Sequence, residues 1–174
     1  MTEERKSQVE CEEVNIFSRD ELIKCGRHEL AGAGVPLPLP DMLMVDRIVE
    51  INRQSGIHGK GEIVGELDLN PNLWFFQCHF KNDPIMPGSL IIDALFQLIG
   101  FYLGWLGHEG KGRALSCGKI KFQEEVLPGA EKLVYNVSVK KIRERDMIIA
   151  AADGSVVIQE QVVCTAKSLI LGLV

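Results

Sequence analysis

Histidine is scarce in this sequence: four residues, at positions 28, 58, 79 and 108, too far apart to give a metal a local ligand pair. Cysteine is odd in number and dispersed. Cys11, Cys25, Cys78, Cys117 and Cys164 never approach a C-x-x-C spacing, which reads as reduced thiols in a cytosolic protein rather than a disulfide framework or zinc site. Positive charge is in deficit too. With 19 Lys and Arg against 24 Asp and Glu, the net charge of −5 excludes an overall field that draws phosphates, and so argues against nucleic acid as the main partner. A local basic patch is still allowed. The opening MTEERKSQVECEE is charged and lacks the apolar core of a signal peptide. There is no internal repeat and no low-complexity segment.

What is present is enough for one globular domain. A chain of 174 residues, 46% hydrophobic, buries roughly 70% of its unfolded surface without needing a disulfide or metal staple. Residues 1–17 read as a flexible arm and 18–174 as a single domain. Ser18 with Glu21 forms a capping box for a short helix that stops near Gly26. AGAGVPLPLP (31–40) reads as an extended surface connection. MLMVDRIVEI (42–51) and GEIVGELDLN (61–70) read as strands.

Residues 90–106 carry a single side chain charged at neutral pH, Asp93. The run approaches the ~17–25 residues needed to span a bilayer, yet it includes Gln97 and glycines and starts just after a Pro-Gly turn. It is expected to be a buried central helix. Strand character resumes in 113–126 and 132–142. Two apolar runs around Asp153-Gly154 predict a hairpin there, with CTAKSLILGLV as the last strand. Two strands, one greasy helix, then three or four antiparallel strands point to a curved antiparallel sheet wrapped around the helix, with a second copy covering the remainder.

Chemistry concentrates in residues 74–93, WFFQCHFKNDPIMPGSLIID. Burying His79 or Asp93 without a partner is costly. At 100° per residue, Asp93, Gln97, Gly100 and Gly104 fall within roughly 60° of one another. That stripe is either a close packing seam or a path by which a ligand approaches the helix axis. Pro87-Gly88-Ser89 at the helix start leaves backbone N–H groups free for a ligand oxygen. A strand-turn-helix over this segment would bring His79 near the helix start. A base, an acid and an oxyanion-type donor in one segment suit proton abstraction next to a carbonyl.

The motifs MLMVDRIV, ELDLNPNLWFF, CHF…DPIMPG, FYLGWLG, EGKGRAL and VLPGA occur here in the order and spacing of the 3-hydroxydecanoyl-acyl-carrier-protein dehydratases of bacterial fatty-acid synthesis, which the chain resembles over nearly its whole length. Asp at 93, with WFF before it and FYLGWLG after it, is similar to the bifunctional dehydratase/isomerase branch. The resemblance implies an α+β hot-dog fold acting as a cytoplasmic homodimer, with no metal or cofactor, no nucleic acid and no membrane. It implies two interface sites, each pairing His79 of one chain with Asp93 of the other. Substrate contacts are implied at Gly88, Ile85, Gln97 and Phe80. The thioester oxygen of a 3-hydroxyacyl group, about C10 and carried on acyl carrier protein, would sit on the Gly88 N–H. His79 would remove a C2 proton, its far ring nitrogen held by the Ile85 carbonyl, and Asp93 would help the C3 hydroxyl leave. Isomerisation would move a C4 proton to C2 and give the cis-3 product.

The chain departs from the branch at Ser89, where Cys is common, at Ile91-Ile92, which matches the dehydratase-only class, and at Leu95-Phe96, where a Met-Trp pair is usual. The basic run KKIRER places Lys140, Lys141, Arg143 and Arg145 together, diluted by Glu144 and Asp146. It is either a solvated hairpin end or a dock for the acidic carrier protein. Two rival readings are a hot-dog thioesterase and a non-catalytic acyl-binding module.

Overall fold

A computed structural model describes residues 16–174; residues 1–15 of the expected arm lie outside the described residues. Phe17 is buried, bridges to Ile48 and meets the Phe101 ring edge-on at 4.9 Å. Helix α1 (Arg19–Gly26) begins where the capping box predicts, the Ser18 N–H donating to Glu21 Oε2 at 2.7 Å.

Strands β1 (Arg47–Asn52) and β2 (Glu62–Asp68) precede a short helix α2 (Trp74–Cys78) and the long helix α3 (Gly88–Trp105). Then come β3 (Gly112–Ser116), β4 (Ile120–Phe122), β5 (Lys132–Glu144), β6 (Ile148–Ile158) and β7 (Gln161–Leu173). All pairings are antiparallel, in the order β1-β2-β5-β6-β7-β3, with β4 also on β7. The sheet curves around α3, which touches β2, β3, β5, β6 and β7. Leu95, Leu98, Ile99 and Leu103 of the helix lie fully buried, as do Ile63, Leu133, Val137, Val156 and Leu169 of the strands. Helix α3 is long and apolar enough to cross a membrane, but most of it is buried inside the sheet.

Four local expectations change. The aromatic run is α2, not the end of a strand. Phe75 and Phe76 are buried while Trp74, Gln77 and Cys78 are exposed, a helical rather than an alternating pattern. The 31–40 connection is not superficial. Its prolines keep it extended, so alternate side chains turn inward, and Val35 and Leu37 are buried. The segment 113–126 divides into two short strands, so five rather than three or four follow α3.

The fourth change is the hairpin. Asp153-Gly154 lies inside β6, and the chain turns instead at Gln159-Glu160, where both φ angles are positive (46° and 70°). Ile158 pairs with Gln161 across this two-residue turn. At Gly154 a Cβ would stand 2.8 Å from a Leu95 methyl, so the glycine lets the sheet close onto α3. Asp153 is buried and accepts the Ser168 N–H at 2.9 Å, beside His58 at 3.1 Å and Lys167 at 3.3 Å. The dipeptide marks a bulged, closely packed crossing of two long strands, where the register shifts between Ala152 and Gly154.

Candidate active site

His79 caps the C-terminus of α2, its N–H bonded to the Phe75 carbonyl at 2.9 Å. The Ile85 N–H donates back to the His79 carbonyl at 2.8 Å, and Phe80 and Asp83 exchange backbone hydrogen bonds at 2.8 and 3.1 Å. Residues 79–85 thus close into a compact loop, in which the His79–Phe80 peptide is cis. The imidazole lies 3.1 Å from the Ile85 carbonyl through Nδ1 and stacks on Phe80 at 4.2 Å. A carbonyl only accepts, so Nδ1 carries the proton and Nε2 of the neutral ring keeps its lone pair. Phe80 is 54% exposed, which leaves this ring stack near the surface.

Gly88 opens α3, so its N–H has no partner within the helix. One and a half turns on, Asp93 Oδ2 accepts from Gln97 Nε2 at 2.6 Å. The same Nε2 reaches the Met42 carbonyl at 2.7 Å, while Gln97 Oε1 accepts the Met44 N–H at 3.0 Å. Gln97 is buried, with both Nε2 hydrogens donated and Oε1 accepting one bond, and its amide orientation is fixed by groups that can play one role only. It pins one carboxylate oxygen of Asp93.

Asp93 and Gln97 line a cavity of ≈ 440 Å³ whose other walls come from Val35–Pro38, Met42, Phe96, Gly100, Leu171 and residues 111–114 at the start of β3, a volume suited to a small-molecule site. His79, Ile85 and Gly88 do not line it. Within one chain, then, the structure does not bring His79 and Asp93 together in this cavity. The polar and small stripe divides by function. Asp93, Gln97 and Gly100 face the cavity, whereas Gly104 is a packing seam, where a Cβ would lie 3.0 Å from the Val35 backbone nitrogen.

Lys140, Lys141, Arg143 and Arg145 are all exposed, at the far end of β5 and in the turn beyond it. The sequence reading missed the Met42 and Met44 backbone clasp of Gln97, more than fifty residues away, and the wall supplied by 35–38. Neither carries a local pattern. It also missed Phe122, whose ring would meet a Cβ on Gly88 at 2.8 Å, so β4 lies against the start of α3.

Comparison with solved structures shows the hot-dog fold. The dehydratase heterocomplex ApeI:P from Xenorhabdus doucetiae superposes with a TM-score of 0.62 at 14% identity, covering 79% of this chain and 88% of that one. A hypothetical thioesterase with coenzyme A from Streptococcus pneumoniae gives 0.50 at 15%, covering 73% and 84%. A mutant of the phenylacetic acid degradation protein PaaI from Thermus thermophilus gives 0.52 at 12%, covering 73% and 91%. At these identities the likeness is one of fold. The FabA-like domain, by contrast, matches residues 37–167, which include α2, the 79–88 loop, α3 and most of the sheet. The chain belongs to the FabA-like domain family.

Proposed function

We propose that this protein is a 3-hydroxyacyl thioester dehydratase acting on carrier-bound substrate, with each site formed by His79 of one copy and Asp93 of another. The observation that carries this reading is the separation of the two groups. His79 has an oriented, accepting Nε2 outside the cavity, and Asp93 faces into it. A second copy placed with its 79–88 loop over the cavity supplies the missing base. Exposed apolar side chains support such a partner: Phe80, Leu115, Phe122 and Leu127 are each about half exposed, at 54%, 49%, 55% and 50%. The sheet ends in the exposed edge strand β3, a further surface that gains from cover.

The reaction follows from these groups. The Gly88 N–H, strengthened by the helix dipole, donates to the thioester oxygen, stabilises the charge developing there and so acidifies C2. His79 Nε2 takes the C2 proton. The C3–O bond then breaks, and the hydroxyl leaves as water with a proton delivered by Asp93, directly or through a water. The carbon product is the trans-2-enoyl thioester. For a C10 chain, removal of a C4 proton and its return at C2 gives the cis-3 isomer. Of the departures from the bifunctional branch, Leu95 is fully buried beneath Gly154 and Phe96 alone of the pair lines the cavity. The isomerase step therefore depends on how Phe96 bends the acyl chain.

A 3-hydroxydecanoyl thioester tests the reading. Dehydratase activity raises absorbance in the enoyl-thioester band. Release of free thiol would assign a thioesterase instead, and neither signal would leave an acyl-binding module. Product analysis for cis-3-decenoyl decides the isomerase step.

A further inference from the structure

The cavity beside Asp93 deepens along α3. Asp93 and Phe96 are half-buried, whereas Gln97 and Gly100, further along the helix, are buried. Its polar side chains on α3, Asp93 and Gln97, stand toward the shallow end; beyond them Val35, Leu37, Phe96 and Leu171 supply an apolar lining. In β3, Gly112 and Ala114 pair with Leu173 and Leu171, both buried, so this side of the strand faces inward. Lys111 and Arg113 alternate to the outer face.

Four lining residues meet at the deep end. A Cβ on Gly100 would lie 3.4 Å from Val35 Cγ1 and 3.8 Å from Leu171 Cδ1. A Cβ on Gly112 would lie 3.7 Å and 3.6 Å from the same two atoms. Two glycines on different elements thus leave a gap that Val35 and Leu171, 2% and 3% exposed, close off. Val35 is held where it stands. The Cys25 thiol donates to its carbonyl at 3.3 Å, Gly104 packs against its backbone nitrogen, and Pro36 fixes the next φ. From Asp93 to Gly100 the helix rises about 10 Å. An extended alkyl chain with C–C bonds of about 1.5 Å advances about 1.3 Å per bond, so about eight bonds span that rise.

Resting on the dehydratase reading, we infer that Val35, set between Gly100 and Gly112 with Leu171 beside it, is the stop that limits the length of the substrate's acyl tail. With C3 beside Asp93 and room left for the terminal methyl, the tail ends at about C10. The lining selects for chemistry as well as length. Each buried methylene contributes apolar transfer energy, whereas a charged tail end would be buried at the stop without a partner.

The test titrates amide-linked acyl-pantetheine analogues from hexanoyl to tetradecanoyl, which can be neither dehydrated nor hydrolysed. Wild-type affinity should rise about fourfold per methylene as far as decanoyl and no further beyond it. Val35→Ala should move that break to dodecanoyl or longer. Gly100→Ala and Gly112→Ala, whose methyls would stand in ordinary contact with Val35 and Leu171, should each move it toward octanoyl. Circular dichroism checks every fold, and the glycine variants carry the test if Val35→Ala does not fold. The quantity read is the position of the break, which a general loss of stability does not move. In turnover, kcat/KM for the matching 3-hydroxyacyl thioesters should break at the same length in each protein. Wild-type affinity that climbs evenly to tetradecanoyl, or a break unmoved in the folded variants, overturns the assignment. A break that moves as expected, with no turnover of any 3-hydroxyacyl thioester, would sink the dehydratase reading and spare the stop. Turnover without a break would do the reverse.

Discussion

The His79 ring is oriented by one hydrogen bond, from Nδ1 to the Ile85 carbonyl, and by its stack on Phe80. His79→Ala should leave far-UV circular dichroism native and lower turnover of a 3-hydroxyacyl thioester by roughly 10²–10⁴-fold. A well-folded, active variant would remove His79 from the mechanism. Gln97 has a different role, acting through Asp93 and two backbone groups. Gln97→Leu strands the Met42 carbonyl and the Met44 N–H and should cost about 1–3 kcal/mol in urea denaturation. It also releases Asp93 Oδ2, so the pH dependence of kcat/KM should change in the same variant. His79 and Asp93 could be singled out as candidates because both titratable groups stand in one apolar stretch of sequence. The clasp on Gln97 was not, because it depends on where a distant loop crosses the helix.

At the scale of elements, α1, α3 and β5 follow from local rules: a capping box, an apolar run opened by Pro-Gly, and an alternating strand. Where the structure departs from the sequence reading, packing overrode local chemistry. Asp153-Gly154 has a turn signature, yet its carboxylate is satisfied by a bulge in the neighbouring strand. Burial works to raise the Asp153 carboxyl, but the Ser168 N–H, His58 and Lys167 outweigh it and hold the group below its ordinary value. A lowered folded pKa means stability that is complete above the unfolded value and lost as pH falls through the folded one. Asp153→Asn should therefore be destabilised by about 1–3 kcal/mol at neutral pH. The difference from wild type should shrink below about pH 4. A constant difference across that range would remove the carboxylate's charge from the account. On α3, Gly104→Val has no room against the backbone of residues 34 and 35. It should lower the melting temperature and cost about 1–3 kcal/mol through overpacking.

At the scale of the whole molecule, the proposed site needs a second copy. One chain provides a helix wrapped by a sheet, a cavity lined by Asp93, and His79 outside that cavity. A chain read alone could suggest a second copy from its apolar central helix, but the sharing of catalytic groups came from family resemblance and needs a direct test. Take His79→Ala and Asp93→Asn, each expected to be nearly inactive by itself. Unfold or dissociate them together and let the chains re-pair at random. About half of the dimers should be mixed, because a two-fold dimer draws its partners independently. In each mixed dimer one site collects both lesions, and the other receives intact His79 and intact Asp93 from different chains. The account predicts recovery of roughly a quarter of wild-type sites on the same counting. No recovery, with mixed dimers isolated by two different affinity tags, would contradict it.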